Sequence, residues 1–268
     1  MRISEKQWNW YISRLRKVNE RAADSVSRFI LGFGHMPETR EEINSVIDYC
    51  YGISRKYGEA AAELAAQMYD YIAAASGVKV PSAVPAETAD MAEVAKTVVG
   101  TLKTGNSEIV SNAIGRLVKK TGVNTTIKNA VRDGASYAWV PHGDTCAFCI
   151  MLASNGWMSG GAGLKNGQAA HIHANCDCTY AVSFNGKTRV AGYDPEYYKE
   201  LYYFEHDENG NVKMENGEPV ERGGNWESKL NGMRRDFYAQ NKANGFRQDF
   251  RRTCFRGWVY SPTLQIYQ

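Results

Sequence analysis

Apolar residues recur along the first third of the chain at the spacing typical of helices. One stripe runs from Trp8 to Ile30 at intervals of one, three and four residues, and this period predicts an amphipathic helix. Ser4 and Gln7 form a capping-box pattern just before the stripe. Gly32 follows it and predicts the end of the helix, because glycine readily adopts the left-handed conformation found past a helix terminus.

A second helical pattern begins after another capping box. Thr39 and Glu42 form this box, and apolar positions then recur through residues 43–72, which predicts a long helix. Gly58 interrupts the pattern, so we expect the helix to be split there in two. Cys50 falls on the apolar stripe and is interpreted as a small buried hydrophobe rather than a reactive thiol.

The segment that follows has no helical period. Residues 79–90 contain two prolines, which predicts an extended connector. After it the pattern returns in three shorter stretches at residues 91–102, 107–120 and 125–133, and each predicts a helix.

The middle of the chain has a different pattern of apolar and polar residues. Residues 137–141 (Tyr-Ala-Trp-Val-Pro) are typical of a strand, a short helix is predicted near Thr145, and residues 179–184 alternate like a second strand. Between these elements lies a glycine-rich loop with little apolar content, marked by Gly156, Gly160, Gly161, Gly163 and Gly167. Such a loop needs some constraint other than hydrophobic packing to hold it in place.

The last part of the chain predicts helices and tight turns. Asp194 followed by Pro195 is typical of a helix start. Asn209-Gly210 and Asn216-Gly217 are hairpin-type turns. A basic helical segment follows, and its expected buried face is formed by Trp226, Leu230, Met233, Phe237 and Tyr238.

These elements predict an α+β fold with a mostly helical N-terminal half, a small zinc-stabilised α/β element and a helical C-terminus. We expect five regions along the chain. They are a helical region at 1–78, the connector at 79–90, a second helical block at 91–136, a Cys/His module at 137–190, and a helical and hairpin region with a basic tail at 191–268.

Composition is that of an ordinary globular protein, with 43% hydrophobic and 23% charged residues. The first ten residues lack the apolar core of a secretory signal, so export by that route is not expected. The alanine-rich stretch at 59–76 contains Glu63, Gln67 and Asp70, and these polar groups predict that it does not enter a membrane.

Positive charge is concentrated near the end of the chain. Residues 229–256 contain eight basic and two acidic side chains, although the whole chain carries a net charge of only +3. A basic segment on a mildly acidic body indicates either an anionic partner such as DNA or a solvated helix face. The candidate contact residues for DNA or a protein partner are Arg234, Arg235, Arg247, Arg251, Arg252 and Arg256.

Four of the six cysteines lie in one short stretch, in a pattern typical of zinc sites. Cys146 and Cys149 form a C-x-x-C element, and donor residues return at 171–178. Zinc takes four thiolate or imidazole donors in a tetrahedral array, and it would clamp both ends of the glycine-rich loop. The predicted ligands are Cys146, Cys149, His173 and one or both of Cys176 and Cys178, with His171 as a spare donor.

Other interpretations of these cysteines remain open. A C-x-x-C element can be a redox pair, the four thiols can form structural disulfides, and a single cysteine can act as a nucleophile with His142 or His173 as its base. A zinc site can also be catalytic when one coordination position stays open, but four or more protein donors favour a closed structural site. His35, His142 and His206 are interpreted as surface or loop residues.

The cysteine region resembles a family of phage proteins. The stretch from Trp139 to Trp157, together with the closing His173-Ala-Asn-Cys176-Asp-Cys178, looks like the minor capsid proteins of tailed bacteriophages, the MuF-like head morphogenesis group. In that group a C-x-x-C element is followed by a closing His-x-x-Cys-x-Cys pattern. The resemblance covers residues 135–184.

This resemblance implies a structural protein of the virion, made in the cytoplasm of the host bacterium, located inside the phage head and associated with the portal. Portal and capsid proteins are the implied partners, with packaged DNA as a further one, and a role in DNA ejection is implied as well. Catalysis is not implied. Two other functions are left open by the residues, namely a capsid maturation protease or other metal-dependent hydrolase, and a DNA-binding zinc protein.

Overall fold

The structure is a computed structural model that describes residues 2–142, 145–159, 178–184, 186 and 188–243. Helices dominate it, and a few short strands accompany them, so the predicted α+β class is confirmed. The helices are α1 (Glu5–Leu31), α2 (Arg40–Ala75), α3 (Met91–Leu102), α4 (Ser107–Arg132), α5 (Ala147–Ser154), α6 (Pro195–Tyr203) and α7 (Trp226–Ala243). The strands are β1 (Arg2–Ile3), β2 (Ser136–Val140), β3 (Thr179–Ser183), β4 (Arg189–Val190), β5 (Met214–Glu215) and β6 (Glu218–Pro219).

The chain divides into two compact units. The first unit contains residues 1–137 and 158–191, and the second contains residues 138–157 and 192–268. Among the described residues, no helix is long and apolar enough to cross a membrane.

The core of the first unit is built from α1, α2 and α4, with α3 packed against α2 and α4. Helix α1 buries one face, as its apolar stripe predicts, through Trp8, Tyr11, Ile12, Ala22, Val26 and Ile30. Cys50 of α2 is fully buried within an apolar cluster, so its interpretation as a buried hydrophobe is confirmed. Burial raises the pKa of the Cys50 thiol to about 12, which keeps this group protonated at neutral pH.

Both predicted capping boxes are present. The hydroxyl of Ser4 accepts a hydrogen bond from the backbone N–H of Gln7, and the Gln7 side chain accepts one from the Ser4 N–H at 3.0 Å. Thr39 and Glu42 repeat this arrangement at the start of α2. A helix cap of this kind contributes about 1 kcal/mol to stability, so the beginnings of both helices are defined by local chemistry.

The predicted break of α2 at Gly58 is wrong, because α2 is continuous from Arg40 to Ala75. A Cβ atom at Gly58 would lie 2.9 Å from Cγ2 of Thr88 and 3.3 Å from Oγ1 of Thr121. The glycine therefore allows the connector and α4 to approach α2 closely. The contacts of α2 with these elements outweigh the low helix propensity of glycine.

The two helices predicted at 107–120 and 125–133 are also wrong as separate elements, because they form the single helix α4. Threonines at the expected break bond within the helix, since the hydroxyls of Thr121 and Thr125 donate to the carbonyl oxygens of Leu117 and Thr121. α4 is covered by α1, α2, α3 and β3. This cover stabilises polar and β-branched positions that would weaken an isolated helix.

The connector after α2 is extended, as predicted, and lies against α4. The amide of Asn129 accepts a hydrogen bond from Val84 N–H and donates one to Val84 O, both at 2.9 Å. One helical turn earlier, the hydroxyl of Thr125 accepts from Ala86 N–H at 2.9 Å. Side chains of α4 thus satisfy backbone groups that have no sheet or helix of their own.

Short strands complete the first unit. β1 and β4 pair in parallel, with Ile3 opposite Val190. Tyr137 and Met158 form an isolated antiparallel bridge with two backbone hydrogen bonds of 2.8 Å. The strands predicted from residues 137 and 179 are confirmed.

The second unit places α5 against α6 and α7. Asp194 caps α6 as predicted, because its carboxylate accepts a hydrogen bond from Glu196 N–H at 3.0 Å. The turn predicted at Asn216-Gly217 joins β5 and β6, and both residues have positive φ angles of 54° and 85°, as a type I′ hairpin turn requires.

Helix α7 buries only part of its predicted face. Leu230, Met233 and Phe237 are buried, whereas Trp226 and Tyr238 are 51% and 45% exposed. Trp226 is the first residue of the helix, one turn before the first buried position. Tyr238 directly follows Phe237 and is therefore rotated by about 100° away from the buried face.

Candidate metal centre

Cys146 and Cys149 lie together at the start of α5. Cys146 is the N-cap residue of this helix, with extended backbone angles of φ −75° and ψ 158°, and its carbonyl accepts the Ile150 N–H at 3.1 Å. Cys149 follows three residues later and is fully buried. Residues three apart on a helix are neighbours on one face, so the C-x-x-C element presents two thiols at one helix end.

Cys178 lies in the first unit, directly before β3. It is fully buried and helps to line a small cavity of about 10 Å³ with Ile12, Gly122 and Val123. A space of this size holds about one water molecule. Nearby, burial raises the pKa of Tyr11, although hydrogen bonds from Thr179 and Thr126 partly offset this rise.

The other predicted ligands, His171, His173 and Cys176, lie outside the described residues. Within the parts of the chain that the structure describes, no group of three or more His, Cys, Asp or Glu side chains is arranged to hold a metal ion. The zinc site therefore stays a prediction, and so does the choice among its six donors.

The described cysteines have the chemistry that a structural zinc ion requires. Cys146, Cys149 and Cys178 are at most 8% exposed, and structural zinc is held by thiolate and imidazole groups in closed four-coordinate sites. Every residue of α5 from Ala147 to Ser154 is buried, so the helix that carries the first two thiols is firmly packed. The donor set fits zinc, and the ion when bound would fix backbone segments in place.

The histidines outside the cysteine region differ from one another. His35 is exposed, as expected, and its Nε2 lies 3.4 Å from a carboxylate oxygen of Glu42. His206 lies in the segment between α6 and β5, as the loop interpretation allows, but it is not a surface residue, because it is only 4% exposed. It is buried because residues of the second unit that are distant in sequence, Arg222 and Asp236, pack around it.

Two of the six candidate contact arginines lie among the described residues, both on α7. Arg234 is half-buried and donates a hydrogen bond to the side-chain oxygen of Asn231 at 3.1 Å. Arg235 is exposed. The remaining four, Arg247, Arg251, Arg252 and Arg256, lie outside the described residues.

Sequence reasoning missed a buried polar network in the second unit. Arg222 is 5% exposed and forms an ion pair with Asp236, whose carboxylate also accepts the backbone N–H of His206 at 2.8 Å. Burial lowers the pKa of His206, and the nearby Arg222 charge lowers it further. No motif or helical spacing relates residues 206, 222 and 236, so the sequence carries no signal for this network.

The helical core and the C-x-x-C element at the start of a buried helix together define a helix-rich α+β protein with a candidate metal-binding module. The chain matches the model of the VG15 protein family over residues 2–204 and belongs to that family. VG15 is a family of phage proteins. No curated protein and no solved structure matches the chain.

Proposed function

We propose that this phage protein is a minor capsid protein of the head morphogenesis type, located inside the phage head and associated with the portal. Membership of a phage protein family supports this proposal. The matched residues, 2–204, include the C-x-x-C element and the closing cysteines whose pattern resembles the MuF-like group. Portal and capsid proteins are the proposed partners, and packaged DNA is a further one.

The proposal includes a structural zinc ion held by Cys146 and Cys149 with donors from residues 171–178. The observation that carries it is the near-complete burial of Cys146, Cys149 and Cys178 in a protein made in a reducing cytoplasm, where thiols favour metal over disulfides. The ion would stabilise the fold rather than act on a substrate, because the donors can fill all four coordination positions.

The test compares two buried cysteines in a phage that carries this gene. Cys149→Ala removes a predicted ligand, whereas the control Cys50→Ala removes a thiol that lies in the apolar core of the first unit. We expect the purified wild-type protein and the control to contain about one zinc ion per chain, and the Cys149→Ala protein to contain about half or less of that amount, because loss of one ligand weakens binding strongly.

Particle composition tests the virion role. Mass spectrometry of purified wild-type particles is expected to detect this protein in few copies, and crosslinking is expected to join it to the portal protein. Absence of the protein from purified particles contradicts the capsid proposal. Equal zinc content in all three proteins contradicts the metal site, and a hydrolytic activity lost in Cys149→Ala while particles still assemble favours the hydrolase alternative.

A further inference from the structure

A cleft of about 520 Å³ opens in the second unit beside α7. It lies outside residues 2–204, the range matched by the family model, and away from the cysteine region. The lining residues that matter here are His206, Lys213, Arg222, Gly232, Arg235 and Asp236. Two of them, Arg222 and His206, are buried to more than nine tenths of their surface.

Arg222 has hydrogen-bonding capacity that the described protein does not use. Its hydrogen bonds all involve Nη2, which donates to Asp236 and lies 3.5 Å from Leu201 O and from Nδ1 of His206. Nε is completely buried and has no partner among the described residues. A guanidinium group carries five N–H donors, and leaving the buried Nε without a hydrogen bond is unfavourable.

Gly232 brings a second guanidinium group close to the first. A Cβ atom at Gly232 would lie 3.3 Å from Nη1 of Arg222 and 3.6 Å from Nη2 of Arg235. The two cationic groups are therefore held near a single point above the helix surface. Arg222 is already paired with Asp236, so an anion at this point would meet the charge of Arg235 and the Nη1 donors of Arg222.

Most of the carboxylates that line the cleft already have partners, and Asp236 is the one that pairs with Arg222. Glu205 pairs with Lys213 at 3.1 Å. Backbone N–H groups donate hydrogen bonds to the carboxylate of Asp207 and lower its pKa. Arg235 forms no ion pair with any described residue. The positive charge of Arg235 is thus uncompensated, and Glu208 is the remaining acidic residue at the exposed rim.

We propose that this cleft binds a single phosphate group between Nη1 of Arg222 and Nη2 of Arg235. A phosphate has enough acceptor oxygens for the unused donors of both guanidinium groups, and arginine matches its geometry well. Duplex DNA would also have to approach the exposed carboxylate of Glu208 at the rim, so an isolated phosphate group is favoured over duplex DNA. The phosphate can be inorganic or part of a small molecule such as a nucleoside monophosphate.

The test measures phosphate binding by calorimetry on the full chain, with ionic strength held constant by chloride. We expect saturable binding to the wild-type protein and an increase in Kd of about tenfold or more for Arg235→Gln, because charge-assisted hydrogen bonds are lost. Lys229→Gln is the matched control, since it removes the same charge from the same helix at a residue that does not line the cleft. We expect this control to bind phosphate like the wild type.

A second variant leaves both arginines and the buried Arg222–Asp236 ion pair in place. Gly232→Ala places a methyl group 3.3 Å from Nη1 of Arg222, and we expect it to weaken phosphate binding while circular dichroism shows an unchanged helix content. Tighter binding of a nucleoside monophosphate than of inorganic phosphate, with the same Arg235 dependence, identifies a small-molecule source.

Three outcomes overturn the proposal. They are the absence of saturable phosphate binding by the wild-type protein, an equal loss of binding in Arg235→Gln and Lys229→Gln, and tighter Arg235-dependent binding of a short DNA duplex than of either small ligand. None of these outcomes bears on the zinc content or particle location that test the proposed function.

Discussion

At the scale of single residues, two glycines of α2 show how surroundings decide the effect of one methyl group. Gly52 is exposed and a Cβ there would meet no atom within 4 Å, whereas a Cβ at Gly58 would lie 2.9 Å from Thr88. Alanine is favoured over glycine in a helix by about 1 kcal/mol. The same substitution should therefore have opposite effects at these two positions.

We expect Gly58→Ala to lower the free energy of unfolding by about 1–3 kcal/mol, because the added methyl group overpacks the contact with the connector. Gly52→Ala is the matched control and is expected to raise it by up to about 1 kcal/mol. Urea denaturation followed by circular dichroism measures both. Equal stabilisation by the two substitutions would show that the contact at Gly58 is not tight.

At the scale of elements, the connector between α2 and α3 has a defined path although it lacks regular structure. Asn129 bonds both backbone groups of Val84, and Asp70 accepts the N–H of Ala83 at 2.8 Å. Few apolar residues of the connector are buried, apart from Ala86 and Ala89. Polar side chains of the flanking helices therefore hold this element in place.

Substitution of Asn129→Ala should release the connector. It removes hydrogen bonds to both groups of Val84, and we expect a loss of about 2–3 kcal/mol in the free energy of unfolding, together with faster proteolytic cleavage within residues 79–90. Asn112→Ala on the same helix is the control, because the side chain of Asn112 makes no hydrogen bond with another described residue. Unchanged cleavage in Asn129→Ala would contradict this account of the connector.

At the scale of the whole molecule, the two units are expected to respond differently to acid. His206 is buried in the second unit, and its pKa is lowered by burial and by Arg222, while Asp236 and Glu200 act in the opposite direction. In the unfolded chain a histidine takes up a proton near pH 6.5. The unfolded state then binds more protons than the folded state, so stability falls as pH drops below about 6.5.

Hydrogen exchange at pH 7 and pH 5.5, corrected for intrinsic exchange rates, measures this effect in each unit. We expect amides of α6 and α7 to lose protection at the lower pH in the wild-type protein. His206→Asn should reduce this loss, since asparagine keeps a polar side chain at this position but does not titrate. His35→Asn changes an exposed site in the first unit and should leave the loss of protection in α6 and α7 unchanged. An equal acid response in both variants would contradict the assignment of this loss to His206.

Much of the fold could be predicted because its signals are local. The capping boxes at Ser4 and Thr39, the apolar stripe of α1 and the Asp194 cap each depend on residues within a few positions of one another. The turn at Asn216-Gly217 is of the same kind, because only the backbone preference of its two residues is needed. Local patterns of this type determine where elements begin and which face they bury.

The two wrongly predicted helix breaks share one physical cause. Gly58 was expected to break α2, and residues 121–124 to break α4, but packing between these helices keeps both continuous. Helix propensity is worth less than about 1 kcal/mol per residue, so contacts between distant elements readily override it.

The sequence by itself determined the class of fold, the starts of the main helices and the cysteine pattern that indicates zinc. Only the tertiary structure decided that His206, Arg222 and Asp236 meet, and that Gly232 lets two arginines converge beside a cleft. The reason is that a cap, a stripe or a metal-ligand spacing is encoded within a few residues. A cleft is formed by residues whose separation along the chain carries no periodic signal.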